Sequence, residues 1–187
     1  NMTIGAKDTE GPVIKVRTLG KRIPEIKESN EITGPSSSPK GIKAMQNIVI
    51  NSGIIRVNAV GGDGAEGIES KGETTLNGGD ISGFCIDDVL NPNGGLKIYG
   101  GTLTGASLTN DGIDVGWMYT YGGYSYVIGG SGDNTAFDTD GKTFMNYGGT
   151  HIGVGGMIGG NPDYRSTAGS INAIIKGNYK YLAVKHD

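Results

Sequence analysis

Four short segments carry an apolar residue bracketed by polar ones: Glu66-Gly67-Ile68-Glu69, Asp88-Val89-Leu90-Asn91, Asp111-Gly112-Ile113-Asp114 and Thr135-Ala136-Phe137-Asp138. With the apolar residue turned inward, one outer column holds Glu66, Asp88 and Asp111, and its neighbour holds Glu69, Asn91, Asp114 and Asp138. Asp63, Asp87, Asp133 and Asp140 lie close by in sequence. Two carboxylates about 4 Å apart repel by about 1 kcal/mol in water and by more in partial burial. Such a cluster needs protonation, basic neighbours such as Lys43 or Lys71, or a hard cation. Calcium takes oxygen ligands in loose geometry, which suits carboxylates and turn carbonyls from neighbouring segments. A solvated acidic edge is the plain alternative.

These columns presuppose a repeating scaffold, and a second marker supplies it. Glycine doublets recur at Gly78-Gly79, Gly100-Gly101, Gly122-Gly123 and Gly148-Gly149, with Ser52-Gly53 as a degenerate first copy. The second glycines fall at 53, 79, 101, 123 and 149, giving steps of 26, 22, 22 and 26 residues. The acid-flanked segments, with Ile42-Lys43 preceding them, keep the same phase. Two markers in one phase predict an all-β solenoid, a parallel β-helix. Short strands bounded by Gly, Asn and Asp agree, and no stretch has convincing helical periodicity.

Period-two alternation predicts the faces of each coil. Ile48 and Ile50, Thr74 and Leu76, Leu96 and Ile98, Met118 and Thr120, and Phe144 and Asn146 should point inward. Past the doublets, Ile55, Val57, Ile81 and Leu103 continue the interior, with a register slip that turns Tyr126 and Ile152 inward in the last coils. The doublets themselves read as corners, since glycine reaches positive φ without steric cost.

The same count places Trp117, Tyr119 and Tyr121 outside and stacks Tyr99, Tyr121 and Tyr147 in one exterior column after Asn51 and Asn77. Such a strip can stiffen the sheet, offer a platform to glycans, or serve as an interface with another chain.

Composition excludes several classes. Glycine makes up 36 of 187 residues without a triplet period, so collagen is excluded. A net charge of −3 without a basic run argues against nucleic acid as main partner. Cys85 is the lone cysteine, which precludes an intrachain disulfide or a zinc cluster. No apolar stretch is long enough to cross a bilayer. Of the four arginines (17, 22, 56 and 165), Arg56 sits on a coil but two strands away from the acid columns, which is poor geometry for β-elimination. His151 and His186 lack a partner at telling spacing, so no catalytic residue is assigned. A polysaccharide lyase is the least favoured reading.

Taken in order, Lys40-Gly41-Ile42-Lys43-Ala44, Glu66-Gly67-Ile68-Glu69-Ser70-Lys71, Asn77-Gly78-Gly79, Asp87-Asp88-Val89-Leu90-Asn91, Asn110-Asp111-Gly112-Ile113-Asp114 and Phe137-Asp138-Thr139-Asp140 resemble the bacterial carbohydrate-binding parallel β-helix domain of clostridial and Bacteroidales surface proteins. The lead-in Leu19 to Ile26 is similar too, and the likeness spans roughly residues 15–160. The resemblance implies a right-handed parallel β-helix, calcium between coils, and non-catalytic binding of acidic, pectin-like polysaccharide of the polygalacturonate type. It also implies export to the bacterial cell surface, often as a lipoprotein. It maps calcium ligands onto Glu66, Glu69, Asp87, Asp88, Asp111, Asp114, Asp138 and Asp140, and the aromatics Trp117, Tyr119, Tyr121, Tyr99 and Tyr147 are the candidate ligand-binding set beside them. Thr135-Ala136 departs from the acid-Gly pattern of the family, and so does the aromatic strip.

The expected organisation is one domain over 1–187: a lead-in coil and loop over 1–40, five marked coils over 41–160 and a closing cap over 161–187. The chain begins at Asn1 without a signal sequence, which reads as a mature product or part of something longer. Further coils or a protein partner at the amino-terminal face fit that reading. The rival function is a structural or adhesive surface protein that uses the tyrosine strip as an interface.

Overall fold

A computed structural model describes residues 1–20, 23–26, 32–130, 134–140, 142–155, 163–166, 172–175 and 183–185. All the regular elements among them are strands. A partial first coil holds β1 (Met2–Ile4) and β2 (Val13–Thr18), followed by a hairpin of β3 (Ile23–Ile26) and β4 (Ile32–Ser37). The next coils read β5 (Lys40–Ala44), β6 (Ile48–Ile50), β7 (Ile54–Ala59), then β8 (Glu66–Ser70), β9 (Glu73–Leu76), β10 (Asp80–Cys85), then β11 (Leu90–Pro92), β12 (Gly95–Ile98), β13 (Thr102–Ser107). After β14 (Ile113–Asp114), β15 (Met118–Ile128) runs through the corner without a break, and β17 (Thr143–Val154) does so after β16 (Phe137–Asp138). Backbone alone describes β18 (Asp163–Ser166), β19 (Asn172–Ile175) and β20 (Ala183–Lys185); the first two lie parallel to β17 and the last antiparallel to β19. The rest of the expected cap, with Tyr179 to Leu182 and His186, lies outside the described residues, as do Asp133 and Arg22.

Every pairing between successive coils is parallel, so the molecule is a parallel β-solenoid. Its first face is the five-stranded sheet β5-β8-β11-β14-β16. A second face stacks β6, β9 and β12 with the first halves of β15 and β17. The third stacks β2, β7, β10 and β13 with the second halves.

The corners between second and third faces show why two glycines are needed. Gly123 has φ 82°, a conformation other residues rarely adopt. Gly122 keeps ordinary φ but lies so close to the coil below that a Cβ would sit 2.5 Å from the Tyr99 carbonyl oxygen. One glycine turns the chain and the other lets coils approach.

Inward columns form one continuous core: Ile42-Ile68-Leu90-Ile113-Phe137 on the first face, Ile48-Thr74-Leu96-Met118-Phe144 on the second, and Ile55-Ile81-Leu103 on the third. The expected slip that would bury Tyr126 and Ile152 does not occur. Leu103 pairs with Ser125, and Ser125 with His151; both are buried, while Tyr126 is exposed and Ile152 half-buried. Pairing shifts only at the corner, where Tyr121 meets Gly148, and is restored by Tyr124 and Thr150. The polar pair is tolerated because Ser125 Oγ lies 2.8 Å from His151 Nδ1 and His151 Nε2 lies 3.3 Å from the Gly148 carbonyl. Burial holds the His151 pKa down at about 4.

First and third faces also meet through complementary volumes. A Cβ on Gly83 or Gly105 would lie 2.5 or 2.7 Å from Val89 Cγ1, and one on Gly112 would lie 2.3 Å from Val127 Cγ1. Gly41 faces Val57 at 2.3 Å in the same way. Gly41, Gly83, Gly105 and Gly112 thus make room for valines across the core, while Gly67 makes room for the Val89 backbone and Cys85.

Candidate functional site

On the first face, strand register brings the expected columns together. Lys40 pairs with Glu66, and Lys43, Glu69, Asn91, Asp114 and Asp138 form the neighbouring row. Both rows face outward because two consecutive residues, such as Gly67 and Ile68, turn inward and leave Glu66 and Glu69 on either side. A depression of about 430 Å³ runs along the face, lined by Lys40, Lys43, Glu66, Glu69, Lys71, Asn91, Asn93, Asp114 and Asp140 among others.

At the amino-terminal end the acids are matched by lysines. Lys40 Nζ pairs with Glu66 Oε1 and also donates to Ser38 Oγ at 2.7 Å and the Gly64 carbonyl at 3.1 Å. Both side chains of that pair are only 9 % exposed. Glu69 is gripped by Lys71 on one oxygen and by Lys43, 2.9 Å away, on the other. Burial alone would raise Glu69, but the lysines outweigh it and hold its carboxyl below the usual range. For Glu66 burial wins over Lys40 and the carboxyl rises. Lys43 and Lys71 were foreseeable partners; Lys40 was missed, although its two-residue offset from Ile42 repeats that of Glu66 from Ile68.

Further along, lysines give way to Asn91 and Asn93, then to aspartates alone. Asp114, Asp138 and Asp140 bring carboxylate oxygens within 4.8 Å of one another, and Glu66, Asp87 and Asp88 do the same. Asp140 is set by a left-handed backbone (φ 53°) and a 2.8 Å hydrogen bond from its N–H to Asp138 Oδ1. Asp88 is 1 % exposed: Asn91 Nδ2 donates to its Oδ2 at 3.0 Å, while its Oδ1 is buried with no hydrogen-bond partner among the described residues. Burial, then the neighbouring Asp87, Asp114, Glu66 and Asp111, push the Asp88 pKa up to about 9. Asp114 rises to about 6 through burial and the charges of Asp140, Asp138 and Asp111. Asp111 is raised by burial despite accepting from the Thr135 N–H at 2.5 Å and its Oγ1 at 3.1 Å.

The expected residues thus separate into distinct groups. Glu66 and Glu69 are lysine-bound, with Glu66 also beside Asp87 and Asp88; Asp114, Asp138 and Asp140 converge on one point; Asp111 hydrogen-bonds Thr135. Asp63 is exposed and joins neither carboxylate group. Asp88, Glu66 and Asp111 are far more enclosed than a solvated edge would be. The clustered carboxylates are hard oxygen donors of the kind calcium takes, and Asp88 Oδ1 is left without a partner among the described residues.

On the second face, Tyr121 stacks on Tyr99 at 4.8 Å and on Tyr147 at 5.1 Å between ring centroids. Trp117 lies against Gly95, where a Cβ would fall 2.2 Å from the indole, and sits 4.9 Å from Tyr119. Lys97 Nζ lies 5.2 Å from the Trp117 ring centre and donates to Glu73 at 2.9 Å. Below the tyrosines the same column continues as Asn77 Nδ2 donating to Asn51 Oδ1 at 2.8 Å. Both faces of Tyr121 are covered by its neighbours, so it presents its rim and hydroxyl.

Fold and site together define a β-solenoid with an oxygen-rich groove along one face. Residues 31–112 match the model of a family described as "Carbohydrate-binding domain-containing protein". The match covers less than half of the chain, taking in Glu66, Glu69, Asp87, Asp88 and Asp111 and leaving out Asp114, Asp138, Asp140 and the aromatic strip from Trp117 onward. Neither the curated proteins nor the solved structures contain a match.

Proposed function

We propose that this chain is a non-catalytic module that binds acidic, pectin-like polysaccharide with the help of calcium held between coils at the bacterial cell surface. The observation that carries the reading is the aspartate end of the groove, where Asp114, Asp138 and Asp140 bring their carboxylate oxygens together. These three would hold one cation, while Asp87 and the buried, half-unpartnered Asp88 belong to a separate cluster with Glu66. Bound there, calcium would neutralise the aspartates and give the carboxylate of an acidic sugar a ligand position. Asn91 and Asn93, in the wall of the same depression, offer amides to sugar hydroxyls, and Lys43 and Lys71 offer charge. Trp117, Tyr119, Tyr99, Tyr121 and Tyr147 flank the groove on the next face as a sugar-contacting border. Export as a surface protein or lipoprotein accords with such a ligand.

The test is affinity electrophoresis in polygalacturonate gels with calcium or with chelator, on the wild type and on Asp114→Asn/Asp138→Asn. Calcium should retard the wild type more than chelator does, and the double variant should lose that difference. Equal mobility in the two gels overturns the reading.

A further inference from the structure

The third face carries a charged trough that neither the acid groove nor the aromatic strip uses. Its outward residues stand in strand register: Lys15 beside Arg56 and Ser82, and Arg17 beside Asn58 and Phe84. These two columns wall a trough of about 400 Å³ that crosses β2, β7 and β10, with a floor around Val16, Val57 and Gly83.

Its electrostatics oppose those of the chain as a whole, whose net charge is −3. Arg56 is fixed in place: Nη1 donates to the Asp80 carbonyl at 2.8 Å and Nη2 pairs with Asp80 Oδ2 at 2.5 Å. Lys15 and Arg17 are exposed, and no carboxylate among the described residues pairs with either. Two cations with no carboxylate partner among the described residues, on one edge strand beside an anchored third, gather positive charge along this wall. The opposite end of the trough is not charged at all. There Phe84 leaves 44 % of its surface open, next to the Asn58 amide and the Ser82 hydroxyl.

We propose that this trough binds a linear anionic saccharide, carboxylated or sulfated, without a divalent cation. Lys15 and Arg17 take the anionic groups, Phe84 packs against the C–H face of a sugar ring, and Asn58 and Ser82 bond hydroxyls. Charge complementarity selects a polyanion. The carbohydrate-binding family match, which spans Arg56, Asn58, Ser82 and Phe84 but begins after Lys15 and Arg17, favours a saccharide among polyanions. The inference rests on the chain being a saccharide-binding module but not on calcium, so the two proposals fail separately.

The experiment is calorimetric titration of the full chain, in chelator, with an oligogalacturonide and, separately, with a sulfated glucan oligosaccharide. Binding of at least one should persist and weaken with salt, because exposed charges are screened. Lys15→Gln/Arg17→Gln should weaken it about tenfold or more, the scale of losing charged hydrogen bonds, and Phe84→Ala by several-fold. Lys142→Gln, an exposed lysine elsewhere, should leave it unchanged. The tighter of the two probes identifies the anionic group. Absence of binding to both probes in chelator overturns the proposal. So does a loss for Lys142→Gln equal to that of the double variant, which would mean diffuse attraction. Binding that survives chelator in a chain lacking any calcium-dependent component keeps the trough and sinks the calcium reading.

Discussion

At the amino-terminal end of the acid face, Lys40, Lys43 and Lys71 neutralise Glu66 and Glu69; at the other end Asp114, Asp138 and Asp140 gather with no lysine among the described residues close enough to pair. The strands are the same and the columns are the same. Only the counter-charge changes: lysines built into the chain at one end, none among the described residues at the other, where burial and neighbouring acids raise Asp114 to about 6. The difference teaches that a ladder of equivalent positions does not make equivalent sites, because each rung inherits whatever its neighbour offers.

The strongest way to break this contrast is to strip the built-in cation. Lys40→Met leaves Glu66 buried without its partner, and removing one member of a buried pair costs about 3–5 kcal/mol. Chemical denaturation at pH 7 should show a loss of that size, with partial recovery in Glu66→Gln/Lys40→Met. A loss under about 1 kcal/mol would show that the pair is not truly enclosed. Next in size is calcium itself. At a hundredfold excess over its dissociation constant, a cation bound only to the folded state adds about 2.7 kcal/mol. Thermal unfolding should therefore rise with calcium in the wild type and in Lys43→Gln, and stay flat in Asp114→Asn/Asp138→Asn.

Proton linkage sharpens the contrast further. Asp88, at about 9 when folded against an ordinary 3.8, keeps a proton that the unfolded chain releases. Its stabilising contribution is complete below about pH 4 and is lost as pH rises toward 9. Asp114 adds the same sign up to about 6. His151 works the other way, stabilising above 6.5 and losing that contribution as pH falls toward 4. Between pH 6.5 and 9, chelated protein should accordingly become less stable with rising pH, and Asp88→Asn should flatten that slope. Added calcium should counter the slope, because the metal binds the ionised carboxylates. The smallest expected effect is at the amino-terminal end. Lys71→Gln leaves Lys43 on Glu69 and, with Lys71 well exposed, should cost below about 1 kcal/mol by denaturation.

Much of the fold was legible because period and phase are written in residues that do backbone work. Positive φ occurs at Gly53, Gly79, Gly101, Gly123 and Gly149, the corner positions marked by the doublets. The inward columns through Leu103 follow from alternation alone. Alternation failed at Ser125 and His151 because it was judged by apolarity. A polar pair that satisfies itself inside the core looks, in one dimension, like a change of register. The acid columns were legible as columns, but their enclosure was not, since burial of Asp88 and Asp111 depends on walls supplied by other coils. Lys40 pairs with Glu66 across one coil just as Lys43 pairs with Glu69, so its role was open to the same count.

The valine and glycine positions facing each other across the core have one more consequence. Any chain of near-identical windings has a decoy, in which one face is displaced against another by a single rung while every ladder bond is still made. Sliding Val89 one step along would set it against Val127 instead of nestling it between Gly83 and Gly105. Bulk and absence, alternating like the teeth of a key, thus reject the off-by-one winding that hydrogen bonding alone would accept.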